Sequence, residues 1–195
     1  EAPLEGRAGF YELYALGEFD AGDLLDRLGS RFWIEQLTFK PWPSCRGTHP
    51  FIELALALRD QHGIAPESVA SVTVRIDEVQ RMLAEPLARK QAPQTLIDAK
   101  FSVPFCAALA LVKGRVDLDS FTVEALGDAQ VLAMAAKVSA EMAAAGNGWQ
   151  AGSGGRLTVR LEDGTVLEAE TANALGCPER PLSEAHLVAK FADCA

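Results

Sequence analysis

The chain has 195 residues, of which 49% are hydrophobic, so it is long enough for one domain, or one and a half, with a core that needs neither disulfides nor metals. Its formal net charge of −9 at pH 7 argues against nucleic acid or an anionic membrane surface as a partner. The four cysteines form no CxxC pair, so we expect no zinc site and no disulfide framework, but reduced thiols in a cytoplasmic protein. No stretch approaches the roughly 20 apolar residues of a membrane span.

The N-terminal part of the chain is predicted to be helical before a first strand. Residues 1–32 include Asp20, an N-cap candidate for a short helix that Gly29 would end. The segment 33–39 alternates polar and apolar residues, which is typical of a strand. The chain begins without methionine and stops inside a helical pattern, so we expect a fragment of a longer protein, although tag removal or terminal disorder would also explain such ends.

The middle of the chain alternates between buried helices and a strand. A helix capped by Thr48 is predicted to run to about residue 61, and the β-branched residues Val69, Val72, Val74 and Ile76, with polar residues interleaved, predict a strand over 68–79. Residues 80–94 are polar and proline-rich, which indicates a mobile loop. A second apolar helix is predicted over 95–112.

The last third contains the clearest pattern in the chain. Residues 156–171 alternate, turn at Asp163-Gly164 and alternate again, which predicts a β-hairpin. A final helix follows Pro181, with its charges on one side. The order of elements predicts an α+β fold: a small mixed or antiparallel sheet with helices packed on one face.

One decapeptide, KPWPSCRGTH at residues 40–49, concentrates the groups that could carry chemistry. Its prolines stiffen the backbone, and the apolar helix begins directly after it. Cations on a stiff loop at a helix N-terminus suit an anionic ligand. A surface turn with solvated charges explains the same composition.

Within the decapeptide, Lys40 and Arg46 could hold one or two carboxylates, since arginine offers a bidentate fork and lysine a movable charge. His49 is either part of a site or a satisfied structural histidine. Cys45 lies beside these cations, which would stabilise a nucleophilic thiolate, but a small buried thiol is the alternative.

A second candidate lies at the start of the predicted helix over 95–112. Lys100 and Ser102 could contact a ligand carboxylate. A buried salt bridge between Lys100 and Asp98, or another acid of the fold, is the structural alternative.

Four separated segments resemble the MmgE/PrpD family, which includes 2-methylcitrate dehydratase, cis-aconitate decarboxylase and iminodisuccinate epimerase. They follow the family's order and approximate spacing: KPWPSCRGTHP at 40–50, DAKFSVPF at 98–105, LEDG at 161–164, and GCP, PLS and KF at 176–178, 181–183 and 190–191. The resemblance covers essentially the whole chain and is specific for the family rather than for one member.

The resemblance implies a division of the chain between two domains. Residues 33–175 are expected to form the small α+β domain, and residues 1–32 and 176–195 to be helical segments of a large all-helical domain, the rest of which is missing. The active site of the family lies between the two domains, so the isolated chain is expected to be inactive. The implied partners are that helical domain, a small di- or tricarboxylate substrate and a second copy in a homodimer.

The implied chemistry is proton transfer next to a carboxylate, with no cofactor and no metal. Lys40 matches the family lysine at the cleft, and His49 matches a histidine that many members share. Cys45 stands where decarboxylase-type members have a histidine, which argues against decarboxylation. The resemblance therefore makes Lys40, His49 and Cys45 the catalytic candidates, and Lys40, Arg46, Lys100 and Ser102 the substrate-binding ones.

Two functions remain open at this point. The chain is the small domain of a lyase or epimerase related to 2-methylcitrate dehydratase of propionate metabolism. Alternatively, it is an inactive remnant or split-gene domain with a structural or dimerisation role.

Overall fold

The computed structural model describes residues 2–195, and the chain divides into two compact units, Glu1–Leu37 and Thr38–Ala195. The described part of the first unit contains helix α1 at Phe10–Ala15, helix α2 at Ala21–Leu25 and a 3-10 helix at Trp33–Gln36. The prediction that Asp20 caps a helix is confirmed, because its Oδ1 accepts hydrogen bonds from the backbone N–H groups of Gly22 and Asp23.

The strand predicted over residues 33–39 is wrong. The segment begins as a 3-10 helix, and Trp33, Ile34 and Leu37 are all exposed. Alternation produces a strand only where one face is buried against a core. Among the described residues of this unit, Gly9 is the only one that is buried, so that requirement is not met.

The second unit contains the remaining helices and the sheet. The helices are α3 at His49–His62, α4 at Arg81–Ala84, α5 at Leu87–Gln91, α6 at Leu96–Lys100, α7 at Val103–Lys113, α8 at Val123–Leu126, α9 at Ala129–Ala136 and α10 at Glu184–Cys194. The strands are β1 at Val69–Ile76, β2 at Val138–Met142, β3 at Gly155–Leu161 and β4 at Val166–Thr171. Short 3-10 helices lie at Arg46–Thr48, Pro66–Ser68 and Leu118–Phe121.

Within the described residues the strands form one mixed sheet in the order β2-β1-β3-β4. Strand β1 pairs in parallel with β2 and antiparallel with β3, which in turn pairs antiparallel with β4. Alternate residues of β1 and β3 are fully buried and join the core that α3 and α7 also build. The opposite face carries charged and hydroxyl side chains, including the Arg75–Glu141 and Arg156–Glu168 ion pairs. The predicted α+β fold, with helices on one face of a mixed sheet, is confirmed.

Local predictions in this unit had mixed outcomes. The hairpin is confirmed as β3 and β4, and α3 ends close to the predicted residue 61, with Gly63 in the left-handed conformation after it. The prediction of a mobile loop over 80–94 is wrong, since α4 and α5 occupy most of that segment. The predicted helix over 95–112 is two helices, because the backbone breaks at Ser102.

The core is built mainly on α3 and α7. Phe51 and Ile52 on α3, and Phe105 and Leu111 on α7, are fully buried. Their packing fixes the start of α3, and with it the decapeptide that precedes the helix. No helix in the described part of the chain is long and apolar enough to span a membrane.

Candidate functional site

The second half of the decapeptide is locked by its own hydroxyl groups. Thr48 Oγ1 donates to the backbone oxygen of Cys45 at 2.8 Å, and therefore accepts from Ser44 Oγ at 2.7 Å. Both hydroxyl side chains are buried. The expected capping role of Thr48 is wrong, because its side chain makes no cap hydrogen bond to α3 and turns back into the loop.

His49 is completely buried and bonded through both ring nitrogens. Its Nδ1 lies 3.3 Å from Arg46 Nη1, and its Nε2 lies 3.4 Å from the backbone oxygen of Ser44. Arginine can only donate and a carbonyl can only accept, so the ring is neutral with its proton on Nε2. Burial is the largest cause that lowers the pKa of His49, and with the positive charges of Arg46, Lys40 and Lys190 it brings the pKa to about 3, although the hydrogen bond to the Ser44 backbone oxygen raises it. This geometry gives His49 a structural role in the second half of the decapeptide, residues 44–49, which we call the turn.

The guanidinium of Arg46 holds a distant loop. It donates from Nη1 to the backbone oxygen of Leu175 at 2.8 Å and from Nη2 to that of Ala174 at 3.0 Å. Burial lowers the pKa of Arg46, against the opposing effects of Cys177 and Glu53. The guanidinium group, which was predicted to bind a substrate carboxylate, therefore donates hydrogen bonds from both terminal nitrogens to backbone carbonyls.

Glu53 on α3 binds the same loop. We call the set of hydrogen bonds from Arg46 and Glu53 to Ala174 and Leu175 the clamp. Its Oε2 accepts the backbone N–H of Leu175 at 3.0 Å, and Arg180 pairs with both of its carboxylate oxygens. Both sides of Leu175, its N–H and its carbonyl, are therefore bound by charged side chains. The loop that contains Leu175 is fixed against the decapeptide and the first turns of α3.

The position of Lys40 depends on the same loop. The backbone N–H of Phe39 donates to the oxygen of Gly176 at 2.9 Å. Gly176 has a φ of +94°, and a Cβ atom there would lie 2.2 Å from the backbone oxygen of Phe39. Only glycine fits this approach without a shift of the backbone. The contact fixes the residue directly before Lys40.

Lys40 itself is exposed, and among the described residues no hydrogen bond or ion pair involves its ammonium group. Its charge nevertheless acts on the buried ring of His49. Of the two cations of the decapeptide, Arg46 is bound internally, whereas Lys40 has no hydrogen-bond or ion-pair partner in the part of the chain that the structure describes.

The other predicted residues occupy mainly structural positions. The backbone oxygen of Lys100 accepts the N–H of Cys45 at 2.9 Å, and Lys100 Nζ lies 5.6 Å from the centroid of the Phe121 ring. Ser102 is buried and caps α7 by accepting the N–H of Phe105 at 3.0 Å. Cys45 is half-buried and packs against the core. Lys100 thus supports the decapeptide through its backbone oxygen, and Ser102 fixes the start of α7.

Gln80 also stabilises the turn. It lies in the segment 80–94, which was predicted to be a loop. Gln80 Nε2 donates to the backbone oxygens of Gly47 at 3.3 Å and Gly154 at 2.9 Å, while its Oε1 accepts the N–H of Asp77. The side chain is fully buried. Nothing in the local sequence distinguishes Gln80 from an exposed loop residue.

A cavity of about 270 Å³ opens beside the decapeptide. It is lined by Pro41, Trp42, Val116, Asp117, Leu175, His186, Ala189, Lys190 and Asp193. Lys190 was missed as a site residue, although it belongs to one of the family-like segments. No cluster of three or more His, Cys, Asp or Glu residues in the described ranges could hold a metal ion.

The chain was compared with known protein families. The model of the MmgE/PrpD C-terminal domain matches residues 42–195, which include the sheet, the decapeptide from Trp42 onwards and every residue that lines the cavity except Pro41. No curated protein matches the chain.

Proposed function

The chain belongs to the MmgE/PrpD family, and from this premise we propose that it supplies the small domain of a cofactor-independent lyase or epimerase. The substrate is a small di- or tricarboxylate, and the reaction moves a proton at the carbon next to a carboxylate. Removal of that proton places negative charge on the carboxylate oxygens, so a fixed cation close to them lowers the barrier.

The observation that carries this proposal is the contrast between Lys40 and its neighbours. Lys40 is exposed, directly precedes Pro41 of the cavity lining and has no partner among the described residues, whereas Arg46 and His49 are bound internally. Lys40 would bind a substrate carboxylate and stabilise the enediolate. Arg46 and His49 would hold the turn in place for it.

The base is proposed to lie outside this chain. Both ring nitrogens of His49 are engaged, and its low pKa makes it a very weak base. The helical domain of the same enzyme would supply the base and cover the site. Exposed apolar side chains on α10, namely Leu187, Val188 and Phe191, support docking of a further apolar surface.

Proton exchange in D₂O tests the proposal. Citrate, 2-methylcitrate and succinate are incubated with the 195-residue chain, alone and together with the helical domain, and the loss of C–H signals is followed by proton NMR. We expect exchange of at least one substrate in the combined protein, and Lys40→Ala should reduce the rate by about 100-fold or more.

The control is Lys113→Ala, which removes an ammonium that is paired with Asp128 elsewhere on the domain. This variant should exchange at the wild-type rate. If Lys40→Ala keeps near-normal exchange, Lys40 has no part in the reaction. If no member of this substrate class exchanges in the combined protein, the alternative of a non-catalytic domain with a structural or dimerisation role is favoured.

A further inference from the structure

We propose that the cavity beside the decapeptide is a subsite for one carboxylate of the substrate, and that Lys190 on α10 is its cationic ligand. This inference rests on the proposed function, because it assigns the same class of ligand to the same side of the domain. It adds a residue to which neither the family match nor the decapeptide assigns a role.

The shape of the cavity suits a small ligand. The decapeptide contributes Trp42 to the lining, α10 contributes Lys190, and the loop before α10 contributes Leu175. Leu175 is held by Arg46 at its oxygen and by Glu53 at its N–H, so this part of the lining is preorganised. A volume of about 270 Å³ falls just below the range of roughly 300–1,000 Å³ that is usual for drug-sized ligands.

The polar groups of the lining differ in whether they already have partners. Asp117 pairs with Arg115 at 2.8 Å and also caps the 3-10 helix at Ser120, and Asp193 accepts the N–H of Leu118 at 3.4 Å. His186 Nδ1 bonds Ser183 Oγ at 2.9 Å.

Lys190 differs from these groups. In the part of the chain that the structure describes, no hydrogen bond or ion pair involves its ammonium. Lys190 is the lysine of the lining, and its ammonium is not paired with Asp193, the lining carboxylate that also has no ion pair among the described residues. A lysine ammonium is a mobile point charge that suits a carboxylate at the rim of a small cavity.

The charges of Lys190 and Lys40 both act on the same buried residue, His49. The cavity begins at Pro41, the residue directly after Lys40. After the larger effects of burial and Arg46, the charges of Lys40 and Lys190 both lower the pKa of His49, and Coulomb effects of this kind fall off with distance. A ligand with two carboxylates can pair one with each ammonium. Among simple probes, succinate has this chemistry, whereas butyrate has the same chain length and a single carboxylate.

The test is a titration of the ¹⁵N-labelled 195-residue chain with succinate, followed by backbone amide shifts. We expect the amides of Leu175, His186 and Lys190 to shift, and butyrate to bind more weakly. Lys190→Gln should weaken succinate binding about fivefold, which is the size expected for an exposed ion pair. Lys113→Gln removes the same charge elsewhere and should leave the affinity unchanged.

Two results overturn the inference. One is an affinity for succinate that Lys190→Gln does not change, with shifts confined to the residues around Lys40; the proposed function would survive that result. The other is the absence of any succinate-dependent shift, in which case the exchange experiment on Lys40→Ala decides the proposed function separately. Because Lys190 is exposed, the Lys190→Gln variant is expected to fold and both results are accessible.

Discussion

The two ends of the decapeptide use their polar groups in different ways. Between Ser44 and His49, the hydroxyls, the imidazole and the guanidinium bond to one another or to backbone carbonyls, and no buried side-chain nitrogen or oxygen in the described residues lacks a partner. At the other end, Lys40 is exposed and its ammonium has no partner in the same set of residues. The two cations of the decapeptide thus differ: Arg46 stabilises the loop, and Lys40 is exposed on it.

This difference shows why a cluster of charges cannot be assigned to a ligand as a whole. Arg46 has the better geometry for a carboxylate, but burial beside Ala174 and Leu175 commits it to their carbonyls. Lys40 has the poorer geometry, but its ammonium has no partner among residues 2–195, which the structure describes. The contrast predicts that substitutions at the two ends of the decapeptide will separate stability from function.

The largest effect on stability is expected from His49→Ala. The variant leaves a cavity in a fully buried site and removes a partner from Arg46 and from Ser44. The free energy of unfolding in urea should fall by about 3–5 kcal/mol. His62→Ala, at the exposed end of α3, is the control and should cost less than about 1 kcal/mol. Similar costs for both variants would contradict the structural role of His49.

Arg46→Lys should have the next largest effect. The charge is kept, but a single ammonium cannot reach both carbonyls in the geometry of the fork. We expect a loss of about 1–3 kcal/mol in the free energy of unfolding, together with faster hydrogen exchange at the amide of Leu175. Arg115→Lys changes a surface pair with Asp117 and should cost less than about 0.5 kcal/mol. An Arg46→Lys variant as stable as Arg115→Lys would refute the clamp.

The pH dependence of the free energy of unfolding should show that the buried His49 imidazole stays neutral in the folded protein. The pKa of His49 is about 3 in the folded protein and 6.5 for the unperturbed group, so the unfolded state binds more protons between these values. Stability therefore falls as the pH drops below 6.5, and His49 should contribute a loss of about 1.5 kcal/mol between pH 6.5 and pH 5. Unfolding curves of the wild type and His49→Gln should converge in this range. Parallel pH profiles would show that the imidazole is not held neutral.

The smallest effect on stability is expected from Lys40→Ala. Because the ammonium makes no internal contact in the described residues, the free energy of unfolding should change by less than about 0.5 kcal/mol. The same variant is expected to lose substrate exchange, so stability and function separate at this position. A loss of stability above about 1 kcal/mol would mean that Lys40 has a structural partner.

Elements that are encoded locally were predicted well. The hairpin of β3 and β4 carries its own alternation and its own Asp163-Gly164 turn, and α3 ends at a glycine that adopts the left-handed conformation. Strand β2 was missed because it lies in an alanine-rich segment, and its strand conformation depends on parallel pairing with β1. Such pairing joins distant parts of the chain and leaves little local pattern.

The site was predictable in location but not in the division of roles. The density of cations indicated the decapeptide, and the family-like segments indicated its neighbours. The partners of Arg46 lie 128 and 129 residues further along the chain, so the sequence could not show that its fork is occupied. The role of Gln80 likewise follows from the folded arrangement, in which its side chain bonds backbone groups of two distant segments, and only the fold shows that Lys190 lines the same cavity as Trp42.

The outer strand of the sheet has a consequence for self-association. Strand β4 forms one border of the sheet, and Glu168 and Glu170 project from it on the same exposed side. Arg156 of β3 compensates these carboxylates only from within the sheet. Another β4 aligned against this border would bring acidic rows together, and the repulsion would oppose continuous fibre-like stacking of domains. A homodimer of this protein would accordingly use a different surface.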